Sequence, residues 1–178
     1  QEMRFVDESG QDVATGSVGE LVVKSPTNMR CYINKPLETA AVLSNGWLAT
    51  GDLGMVDETG LVTIVDRKKN IIIRGGENIA CLDVEGALHR HDAVLEACVF
   101  AVPHDRLGEI VGASVQVTTE HQNLTLEDIR AFLTGHLAAF KIPERLWLQT
   151  EPLPRGATDK IDRKGIRADC LEQKNQRA

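Results

Sequence analysis

Ile64-Val-Asp-Arg-Lys-Lys-Asn-Ile-Ile-Ile-Arg-Gly-Gly-Glu-Asn78 is the stretch on which the reading of this sequence turns. Two apolar runs, Leu61–Val65 and Ile71–Ile73, flank four consecutive charged residues, and a Gly-Gly pair follows. β-branched residues suit the pleated, half-buried surface of a sheet, so both runs read as strands. The charged break between them reads as an exposed joint, with a domain boundary between residues 65 and 66. Gly75-Gly76 leaves backbone without side chains, which marks a tight turn or a place where a ligand comes close.

The chain around this joint has 178 residues, room for one ordinary domain or one and a half small ones. Its apolar share of 42% and charged share of 26% are those of a soluble globular protein. No apolar run is long enough to span a membrane, and the first residues, Gln-Glu-Met-Arg, carry no signal-peptide pattern. The absence of an initial Met leads us to expect a piece of something longer. A net charge of −6 argues against a nucleic-acid binder. The charge is uneven: from Arg155 onward seven Lys/Arg face four acids, so this segment carries +3 and residues 1–154 carry −9. That tail is either a solvated helix or a segment serving a phosphate-bearing ligand. Cys31, Cys81, Cys98 and Cys170 show no CxxC spacing and read as reduced thiols of a cytoplasmic protein. His89 and His91 lie two apart on an expected helix and do not share a face, so no metal site is expected.

Residues 1–65 read as short strands with tight turns: Met3–Val6, Gly19–Lys24, Leu53–Val56 and Leu61–Val65. One helix, Pro36–Leu43, interrupts them, with Pro where a missing N–H does no harm. Strands at this spacing predict a small barrel or sandwich. Beyond the joint the pattern changes. Residues 82–91 place Val84, Ala87, Leu88 and His91 on one helical stripe, with His91 packed or half-exposed. Val94–Val102 and Val111–Thr118 read as strands around the polar loop His104–Glu109. Thr125-Leu-Glu-Asp128 is a capping box opening a helix whose Leu126, Ile129, Leu133, Leu137 and Phe140 face a core. A strand, Arg145–Gln149, and a polar helix, Asp162–Gln173, complete the chain. The fold class is therefore α+β: a small β-barrel-like subdomain, a hinge, and a small domain of helices packed on a short sheet.

Three stretches could carry chemistry. In Trp47-Leu-Ala-Thr-Gly-Asp52, a carboxylate at a strand end suits the vicinal hydroxyls of a ribose, although a turn aspartate is the commoner case. In the joint, Arg67 could add a donor to the same sugar, or be a surface arginine beside two lysines. In residues 152–163, two prolines and Gly-Ala-Thr predict an extended, mobile loop with Lys160 at its tip. A lysine ammonium there suits developing phosphate charge, the plain alternative being a solvated side chain.

In this order and spacing the stretches resemble the C-terminal part of the adenylate-forming superfamily, whose members include acyl-CoA synthetases, adenylation domains and luciferases. Gly19-Glu-Leu-Val-Val-Lys24 with Arg30-Cys-Tyr-Ile-Asn34 resembles the family's "GEL…GY" strand. Trp47…Thr50-Gly-Asp52 resembles its ribose motif. Asp66-Arg67, Gly75-Gly-Glu-Asn-Ile79 and Val84-Glu85 resemble its hinge segment, and Leu153-Pro-Arg…Lys160-Ile-Asp-Arg163 its catalytic-lysine loop. Bacterial fatty-acid and aryl-acid CoA ligases are the nearest group.

The resemblance implies a two-step ligase in which a carboxylic acid and ATP give an acyl-adenylate, and a thiol then displaces AMP. Residues 1–65 would be the last β-subdomain of the large AMP-binding domain, and 66–178 the mobile C-terminal domain. Asp52, Arg67 and Thr50 would bind nucleotide, Lys160 would be catalytic and Asp66 the hinge. Gly75, Gly76 and Glu77 would line the coenzyme A channel. ATP or AMP and coenzyme A would be substrates, with Mg2+ accompanying ATP and nothing held tightly by the fragment. The N-terminal domain of the same enzyme would be the missing partner, and the fragment alone would be incompetent. A domain that loads a carrier protein and a non-catalytic scaffold are the alternatives. Three departures from the family pattern stand out: Asp159 replaces a Gly before the lysine, Cys31 a Gly before Tyr32, and Ala80-Cys81 a Tyr-Pro. Asp159 is expected to stiffen the loop, and either to pair with Lys160 in the open state or to impair the enzyme.

Overall fold

The computed structural model describes residues 1–176, with side chains through Glu172. Arg177 and the side chain of Lys174, two of the basic residues counted above, lie outside the described residues. The chain divides into two compact units, Gln1–Lys69 and Asn70 onward. The division falls in a 3-10 turn, Lys68–Asn70, four residues past the expected boundary.

The first unit is a five-stranded, half-barrel-like antiparallel sheet. Its strands are β1 (Glu2–Val6), β2 (Gly19–Lys24), β3 (Leu43–Ser44), β4 (Trp47–Val56) and β5 (Val62–Arg67), with α1 (Pro36–Val42) between β2 and β3. β4 is the centre of the sheet, pairing with β2, β3 and β5. Gly54 sits where a Cβ would meet the Thr63 carbonyl at 2.7 Å and the Phe5 ring at 2.9 Å, so its bareness lets Phe5 lie on the strand. Phe5 and Val6 are the buried apolar side chains of this unit, while Val18, Ile33, Leu37, Leu61 and Ile64 are exposed.

The second unit has its own core. Its strands are β6 (Ile72–Arg74), β7 (Glu77–Ile79), β8 (Val94–His104), β9 (Gly108–Val117) and β10 (Arg145–Gln149). Its helices are α2 (Cys81–Leu88), α3 (Leu126–Leu133) and α4 (Arg163–Gln176). β9 pairs antiparallel with β8 along its length, antiparallel with β6 at Arg74–Gly108, and parallel with β10. Alternate residues of β8 and β9 feed two clusters. Ala97, Val99, Val111, Ala113 and Val115 pack with Val84 and Leu88 of α2 and Ile129 and Leu133 of α3. Cys98, Phe100, Val102 and Ile110 pack with Leu153, and with Ile166 and Cys170 of α4. A sheet covered on both faces needs apolar residues at every position, which explains the unbroken runs. Fully buried side chains such as Leu88, Val99, Ile129 and Leu133 contribute about 1.5–3 kcal/mol each.

The capping box forms: Thr125 Oγ1 accepts from Asp128 N at 3.2 Å, and Asp128 Oδ2 accepts from Thr125 N at 2.9 Å. The Thr125 hydroxyl is the main cause holding the Asp128 carboxyl below its ordinary value. Both helices of the first cluster stop earlier than periodicity predicts. His91 lies beyond α2, half-buried with its ring edge on Phe132 at 4.8 Å. Leu137 and Phe140 lie beyond α3, yet still pack on the core, Leu137 from the bend after the helix and Phe140 from the 3-10 segment Ala139–Lys141.

The exposed joint is corrected at its first residue. β5 runs on through Asp66 and Arg67, which pair with Leu53 and Asp52 across the ladder; Asp66 is buried, while Arg67, Lys68 and Lys69 are exposed. Strand pairing overrides the reluctance of charge to be buried because the partners are supplied. Asp66 Oδ1 accepts from Arg67 N at 2.6 Å.

The second core depends on a bare position in β9. A Cβ at Gly112 would meet Val102 Cγ2 at 2.5 Å and Phe100 and Trp147 at 3.2 Å. Gly112→Ala is expected to cost about 1–3 kcal/mol through overpacking, read as a lowered midpoint in urea unfolding with an unchanged slope.

Candidate functional site

β4 carries Thr50, Gly51 and Asp52 at a bulge in its pairing, where Gly51 adopts φ +73°. Thr50 is fixed from both sides: its hydroxyl donates to Leu21 O at 2.9 Å and accepts from Asp52 N at 3.1 Å. The paired strand β5 sets Arg67 opposite Asp52, and Arg67 Nη1 donates to Asp52 Oδ1 at 2.8 Å and to Thr50 O at 3.1 Å. Asp52 is about a third exposed, and its Oδ2 faces no donor among the described residues. The corner therefore presents a fixed, pre-oriented carboxylate edge with a guanidinium beside it. Such an edge accepts hydrogen bonds from hydroxyls. The three residues expected to bind nucleotide are thus gathered within one unit.

Gly75 and Gly76 form a two-residue turn between β6 and β7, with φ of +58° and +94° and Arg74 paired to Glu77. Two successive positive φ values are the signature of a type I′ hairpin, which side chains resist. Gly75 N donates to Leu107 O at 2.9 Å, which ties the turn to the loop before β9. Arg74 is held by Glu144 through Nε at 3.0 Å and Nη2 at 2.9 Å. Of the two readings of Gly75-Gly76, a tight turn or a close ligand approach, the structure shows the turn, with Glu77 exposed at the start of β7.

The loop around Lys160 is ordered rather than extended. Arg155 and Ile161 form a bridge, Gly156 N donates to Lys160 O at 2.8 Å, and Asp162 N donates to Pro154 O at 2.8 Å. Asp159 closes the turn at φ +59°, the conformation a glycine would take without strain. Its carboxylate lies 4.0 Å from Arg155 Nε, so the expected pairing with Lys160 is replaced by one with Arg155. Lys160 is exposed, and its ammonium has no ion pair among the described residues.

Both ends of this hairpin are anchored by residues that sequence reasoning gave no role or only a motif position. Arg155 Nη2 donates to Glu96 Oε1, and Leu153 N donates to Glu96 Oε2 at 2.9 Å. Arg163 donates to Glu85 Oε1 at 2.5 Å and to Val99 O, and Val99 N donates to Glu85 Oε1 at 2.7 Å. Burial works against the Arg163 charge, yet the Glu85 hydrogen bond and charge outweigh it and raise its pKa. Burial pushes the neighbouring Cys98 thiol up to about 12 and the Cys170 thiol to about 11, so neither is a nucleophile near neutral pH. Glu96 had one sequence signal: it shares strand parity with Cys98, Phe100 and Val102, a lone carboxylate on an apolar face.

The AMP-binding enzyme C-terminal domain family matches residues 83–160, which span α2 to the lysine hairpin. Residues 83–160 belong to that family. Nearly the whole chain, 97%, aligns at 44% identity with a long-chain-fatty-acid–CoA ligase of Bacillus subtilis, covering 30% of that protein. Among solved structures, an amide bond synthetase from Marinactinospora thermotolerans superposes with a TM-score of 0.84 at 36% identity, over 94% of this chain and 34% of that one. The o-succinylbenzoate coenzyme A synthetase of B. subtilis, in complex with ATP and magnesium, superposes with a TM-score of 0.83 at 33% identity, over 93% of this chain and 34% of that one. The chain thus spans about a third of the length of the relatives it matches. The matched range holds most of α2 and all of β8, β9, α3 and β10, and no helix among the described residues is long and apolar enough to cross a membrane.

The left-handed backbone at residue 159 gives a test within the hairpin. Asp159→Gly and Asp159→Asn should leave it intact, whereas Asp159→Val should cost roughly 1–2 kcal/mol of local stability. Hydrogen exchange at the Gly156 and Asp162 amides checks this, with faster exchange expected for the valine variant alone.

Proposed function

We propose that this chain is the C-terminal third of an ATP-dependent acid–CoA ligase that forms acyl-adenylate and then acyl-CoA. The observation that carries the reading is the Thr50–Asp52–Arg67 corner, whose carboxylate edge has the chemistry to grip the two ribose hydroxyls of a nucleotide. The similarity to CoA ligases over nearly the whole chain supports it. In the first step a carboxylate oxygen attacks the α-phosphorus of ATP, and the bond to pyrophosphate breaks with its electron pair. Lys160 would stand by the carboxylate and phosphate oxygens, offsetting their repulsion. In the second step a thiolate attacks the acyl carbon and AMP leaves. Mg2+ would enter with ATP as part of that substrate; no group of three His, Cys, Asp or Glu side chains is gathered for a metal among the described residues.

The two steps ask for different surfaces beside one nucleotide. Rotation of the second unit about the segment beginning at Asp66 would exchange Lys160 for the Gly75-Gly76 hairpin, beside which the pantetheine thiol would enter. Asp66, buried at the end of β5, would keep that strand fixed while the turn after it absorbs the motion. The larger N-terminal domain would be the partner. The acid pocket and the rest of the ATP site would belong to that domain, so the 178 residues alone would not turn over.

Half-reactions of the full-length ligase test this. Lys160→Ala should lower ATP–pyrophosphate exchange by about a hundredfold or more while sparing thioester formation from supplied acyl-adenylate. Equal loss of both steps would remove the lysine from adenylation. Gly76→Ala, which forces a side chain into φ +94°, should do the opposite, slowing thioester formation more than exchange.

A further inference from the structure

Lys160 is exposed, yet the backbone on both sides of it is hydrogen-bonded. A side chain with four rotatable bonds is positioned only as well as its Cα, and that is set by the peptide planes on either side. Both are held. The Asp159 carbonyl, part of the plane leading into Lys160, accepts from Arg155 Nη1 at 2.8 Å. The Lys160 carbonyl, part of the plane leading out, accepts from Gly156 N at 2.8 Å. The trailing end of the hairpin runs into α4, where Asp162 Oδ1 accepts from Gly165 N at 3.1 Å and Arg163 is clasped by Glu85.

The leading plane has no such direct tie to the sheet. It hangs on Arg155, and Arg155 hangs on Glu96 of β8. Glu96 uses both oxygens: Oε1 takes the Arg155 guanidinium and Oε2 takes the backbone N–H of Leu153, itself buried against β8 and α4. A planar guanidinium is suited to this, because its separate N–H groups can reach a carboxylate and a carbonyl at once; an ammonium has no such fork. The connection runs from β8 through one carboxylate and one guanidinium to the peptide before Lys160. It also bears on the φ of +59° at Asp159, which a non-glycine residue keeps only when its surroundings hold it there.

We propose that Glu96, acting through Arg155, is a positioning residue for Lys160: it holds the 159–160 peptide plane so that the ammonium is presented in the geometry adenylation needs. The proposal rests on the reading of Lys160 as the adenylation lysine, and its test separates the two. A stabilising ion pair without this role would, when removed, weaken both half-reactions alike or loosen the whole unit.

Glu96→Gln keeps the size and one acceptor for Leu153 N but loses the charge that holds Arg155. Arg155→Lys keeps the charge and loses the fork, and it serves as the second variant if the first folds poorly. In the 178-residue chain, both variants should speed hydrogen exchange at the Gly156 and Asp159 amides by about tenfold, with β8–β9 amides unchanged. In the full-length ligase, both should lower kcat for ATP–pyrophosphate exchange by about tenfold, with KM for ATP and the rate of thioester formation from supplied acyl-adenylate within about twofold. Unchanged exchange at Gly156 and Asp159 in both variants overturns the proposal, as does equal loss of the two half-reactions. If hairpin exchange rises and neither variant nor Lys160→Ala slows adenylation, the reading of Lys160 fails and with it the catalytic part of the proposal. If Lys160→Ala abolishes adenylation and the two variants leave it at full rate, the lysine reading stands and the positioning role is overturned.

Discussion

Glu85 is the point through which the second unit is assembled. Its carboxylate, largely withdrawn from water, accepts the Val99 amide of β8 and the Arg163 guanidinium of α4 while its backbone belongs to α2. A carboxylate in that position cannot be left without partners, because desolvation would cost several kcal/mol. The requirement fixes the helix on one face of the sheet, the sheet itself, and the helix on the other face relative to each other. Arg163 also donates to Val99 O, so a single guanidinium and a single carboxylate hold one residue of β8 from both of its backbone groups. The lysine hairpin begins on Glu96 and ends on Glu85.

The same economy of means operates in the first unit. Arg67 and Asp52 are cross-strand partners, and their ion pair, with half-exposed side chains, is worth at most about 1 kcal/mol to stability. Its significance is geometric. The guanidinium bridges Asp52 and the Thr50 carbonyl across a bulge, which turns a strand interruption into a stiff corner with one carboxylate oxygen outward. Bulges re-aim side chains in this way next to sites. Proximity of the two residues follows from antiparallel register, although they lie fifteen positions apart in sequence.

Much of the fold was legible because its signals are local. The capping box at Thr125 and Asp128, the proline opening α1 and the strand Arg145–Gln149 each rest on neighbours in sequence, and each is where it was expected. The alternating burial that makes β8 and β9 apolar on both faces was legible only as two apolar runs. The mistakes share a cause. Asp66 was read as part of an exposed break because charge resists burial, yet β4 supplies the ladder partners that carry β5 through it and on to the exposed Arg67. The lysine loop was read as extended from its prolines and glycine, yet Glu96 and Glu85, contributed from 59 and 78 positions away, root a hairpin. Asp159 was expected to face Lys160, and the turn points it toward Arg155 instead.

By itself the sequence determined most of the elements, the α+β class, Thr50, Asp52 and Arg67 as candidates, and the presence of a single lysine in a turn-rich loop. These depend on residue type and short spacing, which the chain carries wherever it goes. Only the tertiary structure decided that the turn at Gly75-Gly76 is the type I′ tip of a hairpin tied to Leu107, and that Asp66 lies inside β5. It also decided that the lysine is presented by a hairpin whose two roots are clasped by carboxylates from other elements. Those outcomes belong to pairs of residues far apart along the chain, and a donor shows its acceptor only once folding has brought the two within about 3 Å.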